Sequence, residues 1–564
     1  MKELFTEKLQ QQILTLYQLT CEPLVTFPSS TDFGDYTTNV AMAIAKQVKK
    51  SPAEIAQNIV SGLKQDPEFA TKCDSITAQG GYINITLGTG PLWNSVEQST
   101  VSLFSVSQPK RILVEYGQPN THKLPHIGHL FSYIVGDSLA RILDAVGNTV
   151  VKANYQGDIG PHVAKSLYGY IQLGQPKPQT LQEKVMLLQK CYQEGNLAYD
   201  SDPVAKETID DINKKIYQKD PEITQIWQET KKWSLDFYLE LETRLGIRQT
   251  FHYLESDMYE YGMKAVQENV GKVFQESDGA IVFPGEPYGL HTRVFITKKG
   301  TPTYEAKDMG LNVQKYEDWP YDLNIITTAS EQNAYFQVII KALELANPHL
   351  KGKIQHIGFG MVSLSTGKMS SRTGQIVNAV ELLDATKARV QEILAEREGL
   401  SETQKNEISE TVTLAAVKFA FLRQNILQNM KFDLEESVSF EGKSGPYILY
   451  SYARIMSILR SVEIPDATTK DVAELTDPSE TQLLRWLYRY PEVIHQAAAT
   501  MAPHTIAEYV YTTAQLFNTF YSQQQIKNEP NQQKQRVRKS LVQYTAQILK
   551  QGLHLLGIET VDTM

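Results

Sequence analysis

Cysteine is scarce: Cys21, Cys73 and Cys191 are the only three in 564 residues, far apart and in no paired spacing. That excludes a disulfide framework and a thiolate zinc site, so neither a protein-bound zinc nor any other metal ligand set is expected. Long apolar runs are missing as well. No uncharged stretch reaches the ~20 residues that cross a bilayer, and Met1 to Leu19 carries Lys2, Glu3, Glu7 and Lys8 where a signal peptide would be apolar. A cytoplasmic protein with no membrane partner is therefore expected. Positive charge is not in excess either, since 55 Lys and Arg against 64 Asp and Glu leave a net charge of -9. Nucleic-acid binding through whole-chain attraction to phosphate is excluded, and any such contact must be local. Lys534, Arg536, Arg538 and Lys539 form one local cluster, which reads either as a phosphate-facing patch or as a solvated helix face. No internal repeat is present.

What remains is ordinary globular composition, 41% hydrophobic and 21% charged, at a length that requires three or more packed units. The segment up to about Ser107 reads as a small mixed unit: helical periodicity over Tyr36 to Leu63 with Ser51-Pro52 as a helix start, then strand-like alternation from Gly81. A Ser-rich linker around Val101 to Lys110 follows. From Arg111 the texture changes to a short apolar run, a Gly/Pro loop, a helix from about Gly128 to Val146 and a strand from Val150. Strand, loop, helix and strand in that order make a βαβ unit of a parallel sheet. Further strand-like runs begin at Asn324 and Ile354, so the second half of the sheet lies downstream of a helical insertion, Leu181 to Leu245 at its core. After about Asn378 the pattern is helical to the end, with breaks at Pro465, Pro478 and Pro530.

Two motifs carry chemistry. His126-Ile127-Gly128-His129 opens the helix after the first strand. A helix N-terminus attracts phosphate through unpaired backbone N–H groups and its positive dipole end. Two imidazoles on that first turn can face a polyphosphate, and Gly128 leaves room for a nucleotide. The second motif, Lys368-Met369-Ser370-Ser371-Arg372-Thr373-Gly374, follows a strand-like segment. Its cations can stabilise charge that develops as pyrophosphate leaves. Elsewhere, Tyr304 and Asp308 stand one helical turn apart and can present a hydroxyl and a carboxylate to a planar cation, with Glu115 as a possible second charge.

These signatures resemble the HIGH and KMSKS motifs of class I aminoacyl-tRNA synthetases, and more closely the arginyl-tRNA synthetase family. The likeness runs through Val114 to His129, Asn154-Tyr-Gln-Gly-Asp-Ile-Gly160, Tyr304-Glu-Ala-Lys-Asp308, Gly445-Pro-Tyr-Ile-Leu-Tyr-Ser-Tyr-Ala-Arg454, the closing Leu555-Leu-Gly-Ile with Met564, and, near the start, Phe33 to Asn39 and Gly81 to Asn84. It implies a Rossmann-like α/β catalytic domain over 109–395, with its helical insertion at about 165–290. An N-terminal α+β tRNA-binding domain over 1–108 and an all-α anticodon-binding bundle over 396–564 would flank it. The implied substrates are ATP with its accompanying Mg2+, L-arginine and tRNA, and the chain is expected to be a monomer.

By the same resemblance His126, Gly128, His129, Met361, Val362, Lys368, Met369 and Ser370 hold ATP, and Glu115, Asn120, Tyr304, Asp308 and Gln332 hold arginine. Tyr82, Asn84, Tyr447, Tyr450, Arg454 and Met564 contact tRNA. Three positions depart from the family pattern: Gly117-Gln118 stands where Ser-Ser is usual, Tyr335 where His is usual, and Ser371 where the second lysine of KMSKS is usual. Arg372 or Lys123 can supply the missing charge. Two other readings share these residues: a smaller nucleotidyltransferase or ligase with the same His-x-Gly-His chemistry, and a catalytically silent RNA-binding relative.

Overall fold

A computed structural model describes residues 1–28, 30, 33–99, 106, 108–365, 378–395 and 401–564. By packing, the chain divides into two units. One comprises Met1–Ser102, Arg454–Pro491 and Thr512–Leu549; the other comprises Leu103–Ala453, Glu492–Tyr511 and Lys550–Met564. This grouping differs from three consecutive domains, because the C-terminal helices are shared between the units.

In the first unit an antiparallel sheet orders Val25–Thr26, Tyr36–Thr38, Tyr82–Leu87 and Cys73–Gln79. Helices Lys2–Tyr17, Val40–Val48 and Pro52–Gln65 bury Phe5, Leu9, Ile13, Ile55, Ile59 and Leu63. The Ser51 side chain accepts from Glu54 N, and Pro52 occupies the first helical position where no N–H is missed. The helix expected over Tyr36 to Leu63 is thus two helices behind a strand. Its first residues pair with Ile83, Asn84 and Ile85, and Lys49 breaks it with φ 54°.

The basic cluster at 534–539 is neither a patch nor a bare solvated face. Arg536 forks onto Asp471 and the buried Arg538 meets Glu480 and Glu529, while Lys539 meets Asp466. These cations neutralise carboxylates of their own unit and brace the helix Gln532–Leu555.

The second unit is built on a five-stranded parallel sheet. Its order is Ile354–Phe359, Leu323–Ala329, Arg111–Glu115, Thr149–Gln156, Phe251–Leu254. In chain order the strands run 5-4-1-2-3, so the direction of winding reverses between Arg111–Glu115 and Leu323–Ala329. The carboxyl ends of those two strands form the crevice where such sheets bind ligands. Helix Ile127–Ala145 is buried almost all round, as a helix covered by both sheet and neighbouring helices must be. Phe131 packs edge-on against Phe359 and Phe421, with ring centres 5.2 and 5.3 Å away.

The insertion is narrower than expected. Helices Leu181–Ser201, Pro203–Tyr217 and Pro221–Arg244 form it, and the chain then returns to the sheet as the edge strand Phe251–Leu254. The expected range of about 165–290 therefore takes in part of the parallel sheet. A four-residue strand containing a polar His252 carries too little alternation to be read by pattern. A three-stranded antiparallel sheet, Gln275–Ser277, Ala280–Phe283 and Arg293–Ile296, follows it.

Candidate active site

At the start of helix Ile127–Ala145 the two histidines form a reciprocal cap. His126 Nδ1 accepts from Gly128 N at 3.0 Å, and His129 Nδ1 accepts from His126 N at 3.1 Å. A backbone N–H can only donate, so both Nδ1 atoms are unprotonated and each neutral ring carries its proton on Nε2. The rings lie with centres 3.9 Å apart. Burial, reinforced by the Lys123 ammonium, holds both below the usual histidine range, and the neighbouring His126 adds to the lowering of His129, to about 3. The turn thus offers two neutral N–H donors at a positive dipole end, which suits the oxygens of a polyphosphate. A Cβ on Gly128 would sit 2.9–3.0 Å from the His126 ring, so the glycine also leaves room for that imidazole.

Lys368, Met369, Ser370, Ser371 and Arg372 lie outside the described residues. The flanks of that segment are placed. Ser365 Oγ donates to Asp433 Oδ2 at 2.7 Å, and Asn378 bridges to His126, with Ala379 N donating to Pro125 O at 2.8 Å. Lys123 precedes the same turn, its ammonium 4.2 Å above the Tyr192 ring. Met361, 45% exposed, and Val362, paired with Met430, follow the strand Ile354–Phe359.

A cavity of about 450 Å³ opens at the sheet's reversal point, and all five expected arginine contacts, Glu115, Asn120, Tyr304, Asp308 and Gln332, line it. They come from the end of the first strand, the loop after it, helix Tyr304–Asp318 and the turn Ser330–Gln332. Asp308 is the distinctive group. Burial raises its carboxyl to about 7, with the charge of Glu115 adding to the effect, although Tyr335 donates to Oδ2 at 2.5 Å and Lys315 opposes it. A carboxylate so disfavoured is best relieved by an incoming cation.

Two departures from the family pattern have structural roles here. Tyr335 supplies that hydroxyl to Asp308. Gln118 Nε2 donates to Glu115 Oε1 at 2.7 Å from a backbone turn where Gly117 has φ 96° and Gln118 φ 53°. A Cβ on Gly117 would lie 2.7 Å from the Tyr133 ring, which makes glycine necessary. Asn154 Oδ1 accepts from Gln118 N and Ser132 Oγ from Gly117 N, each at 2.9 Å, so the turn is held on both sides.

Sequence reasoning missed the cations around the cavity. Lys315 pairs with Glu115, Lys307 with Glu255 and Arg293 with Glu305. Lys307 stands inside the Tyr304–Asp308 motif, and Lys315 lies two turns beyond Asp308 on the same helix face, whereas Arg293 left no signal.

Of the residues expected to meet tRNA, Tyr82 is 45% exposed at a hairpin end. Asn84 is buried, and its Oδ1 accepts from Thr37 Oγ1 at 2.6 Å. On helix Gly445–Ser461, Tyr447 and Tyr450 are half-buried, with ring neighbours Tyr511 and Phe440, and Arg454 donates to Asn518 Oδ1 at 2.9 Å. Tyr452, also read as a stacking face, is buried. Met564 is half-buried.

The chain matches three family models: the class I (R) tRNA synthetase catalytic domain over residues 95–434, the arginyl tRNA synthetase N-terminal domain over 1–87, and the DALR anticodon binding domain over 448–564. It is 30% identical over 583 residues to the arginine–tRNA ligase of Laribacter hongkongensis, covering 100% of this chain and 99% of that one. It is 29% identical to the Bacteroides fragilis enzyme of the same name, with 94% of each covered. Among solved structures, the Thermus thermophilus arginyl-tRNA synthetase superposes with a TM-score of 0.84 at 25% identity over the whole of both chains. The Plasmodium falciparum arginyl-tRNA synthetase shares the fold, with a TM-score of 0.81 at 22% identity over 100% of this chain and 99% of that one. A smaller nucleotidyltransferase would have no counterpart of the terminal domains. With a catalytic sheet, a paired-histidine helix start and end-to-end similarity of this kind, the chain belongs to the arginyl-tRNA synthetase family of class I aminoacyl-tRNA synthetases.

Proposed function

We propose that the cavity at the sheet's reversal point is the arginine site of an ATP-dependent arginine–tRNA ligase, and that the His126–His129 turn is its triphosphate site. The observation that carries this reading is the pairing of Asp308, a half-buried carboxylate with a raised pKa and a hydroxyl partner, with two neutral Nε2–H donors at the start of the helix that follows the strand Arg111–Glu115. Asp308 and Tyr304 hold the guanidinium, whose planar fork matches a carboxylate better than a compact ammonium does. Asn120 and Gln332 hold the amino and carboxylate groups. The carboxylate then attacks the α-phosphorus of ATP, a P–O bond forms to give arginyl-adenylate, and pyrophosphate leaves.

His126 and His129 donate to the phosphate oxygens as charge develops there, which lowers the barrier only through interactions stronger in the transition state. Lys368, with Arg372 or Lys123 in place of a second motif lysine, adds cationic stabilisation to the leaving pyrophosphate, and Mg2+ accompanies ATP. A ribose hydroxyl of the tRNA's terminal adenosine next attacks the acyl carbon and AMP departs. Tyr82, and Tyr447 and Tyr450 with Arg454, are assigned to tRNA through base stacking and a phosphate-facing cation. The protein acts as a monomer in the cytoplasm.

Pyrophosphate exchange driven by arginine tests this directly. Exchange that requires arginine and is stimulated by tRNA supports it, while binding of tRNA without any exchange would identify a silent RNA-binding relative.

A further inference from the structure

Between the strand Arg111–Glu115 and the paired-histidine turn, the loop from Asn120 to Leu124 is gripped by two helices of the insertion, Leu181–Ser201 and Pro221–Arg244. The Tyr238 hydroxyl shares its hydrogen between Asn120 O at 2.6 Å and Lys123 O at 2.8 Å. His122 N donates to Ser234 Oγ and Leu124 N to Gln189 Oε1, each at 2.9 Å. The Lys123 ammonium rests over the Tyr192 ring. Thr230, Ser234 and Tyr238 recur four residues apart, so one face of helix Pro221–Arg244 meets the loop.

His122 stands at the middle of this grip. It is fully buried, with φ 63°. In that left-handed conformation a Cβ is strained, and glycine or asparagine is favoured. The backbone therefore does not account for a histidine here, whereas the ring contacts do. Nδ1 lies 2.9 Å from Thr121 Oγ1 and Nε2 lies 2.9 Å from Thr230 Oγ1, so the imidazole joins the loop to the insertion helix. Burial, with the charges of His162 and Lys231 adding to it, lowers the ring to about 3. At neutral pH one ring nitrogen then donates and the other accepts.

The two ends of the loop are supported differently. Asn120 forms a bridge with Gly157, and Thr121 N donates to Gly157 O at 2.8 Å, so this end is also held from the strand Thr149–Gln156. The Lys123 end is held by its contacts to Tyr238, Gln189 and Tyr192. A loosened tie to the insertion is thus felt at Lys123 and the turn beyond it more than at Asn120.

We propose that His122 is a positioning residue for the activation step: through Thr230 its ring fixes the loop to the insertion, and so sets where Lys123 and the His126 turn meet the triphosphate. The insertion then serves the phosphate chemistry at one remove. This rests on the triphosphate reading of the His126–His129 turn. Its consequence is a split in the kinetics, because a misplaced loop weakens interactions made in the transition state while ground-state binding of arginine and ATP is kept.

Pyrophosphate exchange by the full chain, with arginine and tRNA supplied, tests the proposal. Thr230→Val keeps the side-chain shape and removes the hydroxyl; it should lower kcat at least ~10-fold, with the arginine and ATP constants within ~2-fold of the parent's. The amide of His122→Gln reaches the place of Nε2, and that of His122→Asn the place of Nδ1. Glutamine should therefore retain at least ~3-fold more activity, although asparagine suits the left-handed backbone better. Combined with Thr230→Val, His122→Asn should cause no further loss, since both sever one tie. Thermal midpoints ensure that each variant is assayed folded.

A Thr230→Val enzyme with the parent's kcat overturns the proposal, whether or not the His122 variants fold. So does a His122→Asn enzyme as active as His122→Gln, the order that backbone strain alone would give, or a double variant whose losses multiply. His129→Ala, measured alongside, separates the two levels of inference. Normal turnover in His129→Ala removes the triphosphate reading itself; a slow His129→Ala beside an unimpaired Thr230→Val removes only the role of His122.

Discussion

Replacing the Asp308 carboxylate by an amide of the same shape should divide binding from stability. In the ligand-free protein Asp308 is raised to about 7 by burial, so its charged form is disfavoured by the fold. The sign follows: a carboxyl with a raised folded pKa contributes most at low pH, and that contribution is lost as pH rises from the ordinary carboxylate range to about 7. Above pH 7 the ionised group costs the fold up to about 4 kcal/mol, taking ~1.4 kcal/mol per pH unit over that interval. Asp308→Asn removes this cost, so the thermal midpoint of the ligand-free variant at pH 8 should equal or exceed that of the parent, with the difference vanishing near pH 4.

Binding should move the other way. The guanidinium loses a charge-assisted, forked partner, a loss on the order of 2–5 kcal/mol. At ~1.4 kcal/mol per decade this is at least roughly a thirtyfold rise in the arginine KM. ATP and tRNA constants should stay as they were. Differential scanning calorimetry at both pH values, beside arginine-dependent aminoacylation kinetics, reads both effects. A variant that is less stable at pH 8 yet binds arginine normally would refute the reasoning on both counts.

Arginine KM in the parent enzyme should rise about tenfold per pH unit below pH 7, the Asp308 value, because the cation binds the ionised form; a flat profile from pH 5.5 to 8 would contradict it. His129→Ala should lower the activation rate by roughly 10²-fold or more while tRNA affinity, measured by filter binding, stays unchanged, since a neutral donor to the phosphates is removed. Lys368→Ala should behave in the same way, and normal turnover in either variant would misplace the nucleotide site. Gly117→Ala should raise the arginine KM and lower the thermal midpoint by a few degrees, on the order of 1–3 kcal/mol, because the new Cβ meets the Tyr133 ring at 2.7 Å at a positive φ.

The parts of the site that lie close together in the chain were legible in the sequence. His126 and His129 fall on the first turn of a helix that follows a strand, and Tyr304 and Asp308 fall one turn apart, so local periodicity places each pair on one face. The strands at Arg111, Thr149, Leu323 and Ile354 announced themselves by apolar runs of the right length. What local pattern does not carry is who meets whom across the fold. Lys315 reaches Glu115 across two hundred residues of sequence. Arg293 arrives from a small sheet whose strands are only three or four residues long.

The same limit explains the readings that changed. The cations at 534–539 look like a patch until Asp471, Glu480 and Asp466 are brought against them. Tyr82 and Asn84 share one face by alternation, yet the neighbouring strand covers Asn84 and leaves the hairpin end open. At Gly128 the sequence does not show that the His126 ring lies against the glycine, because that contact comes from a capping geometry that depends on side-chain rotamers.

The most direct test is aminoacylation of unfractionated tRNA with each radiolabelled amino acid in turn, with and without ATP. The account predicts ATP-dependent charging with arginine and background with lysine and every other amino acid. Charging with another amino acid at a comparable rate, or none with arginine, would contradict it.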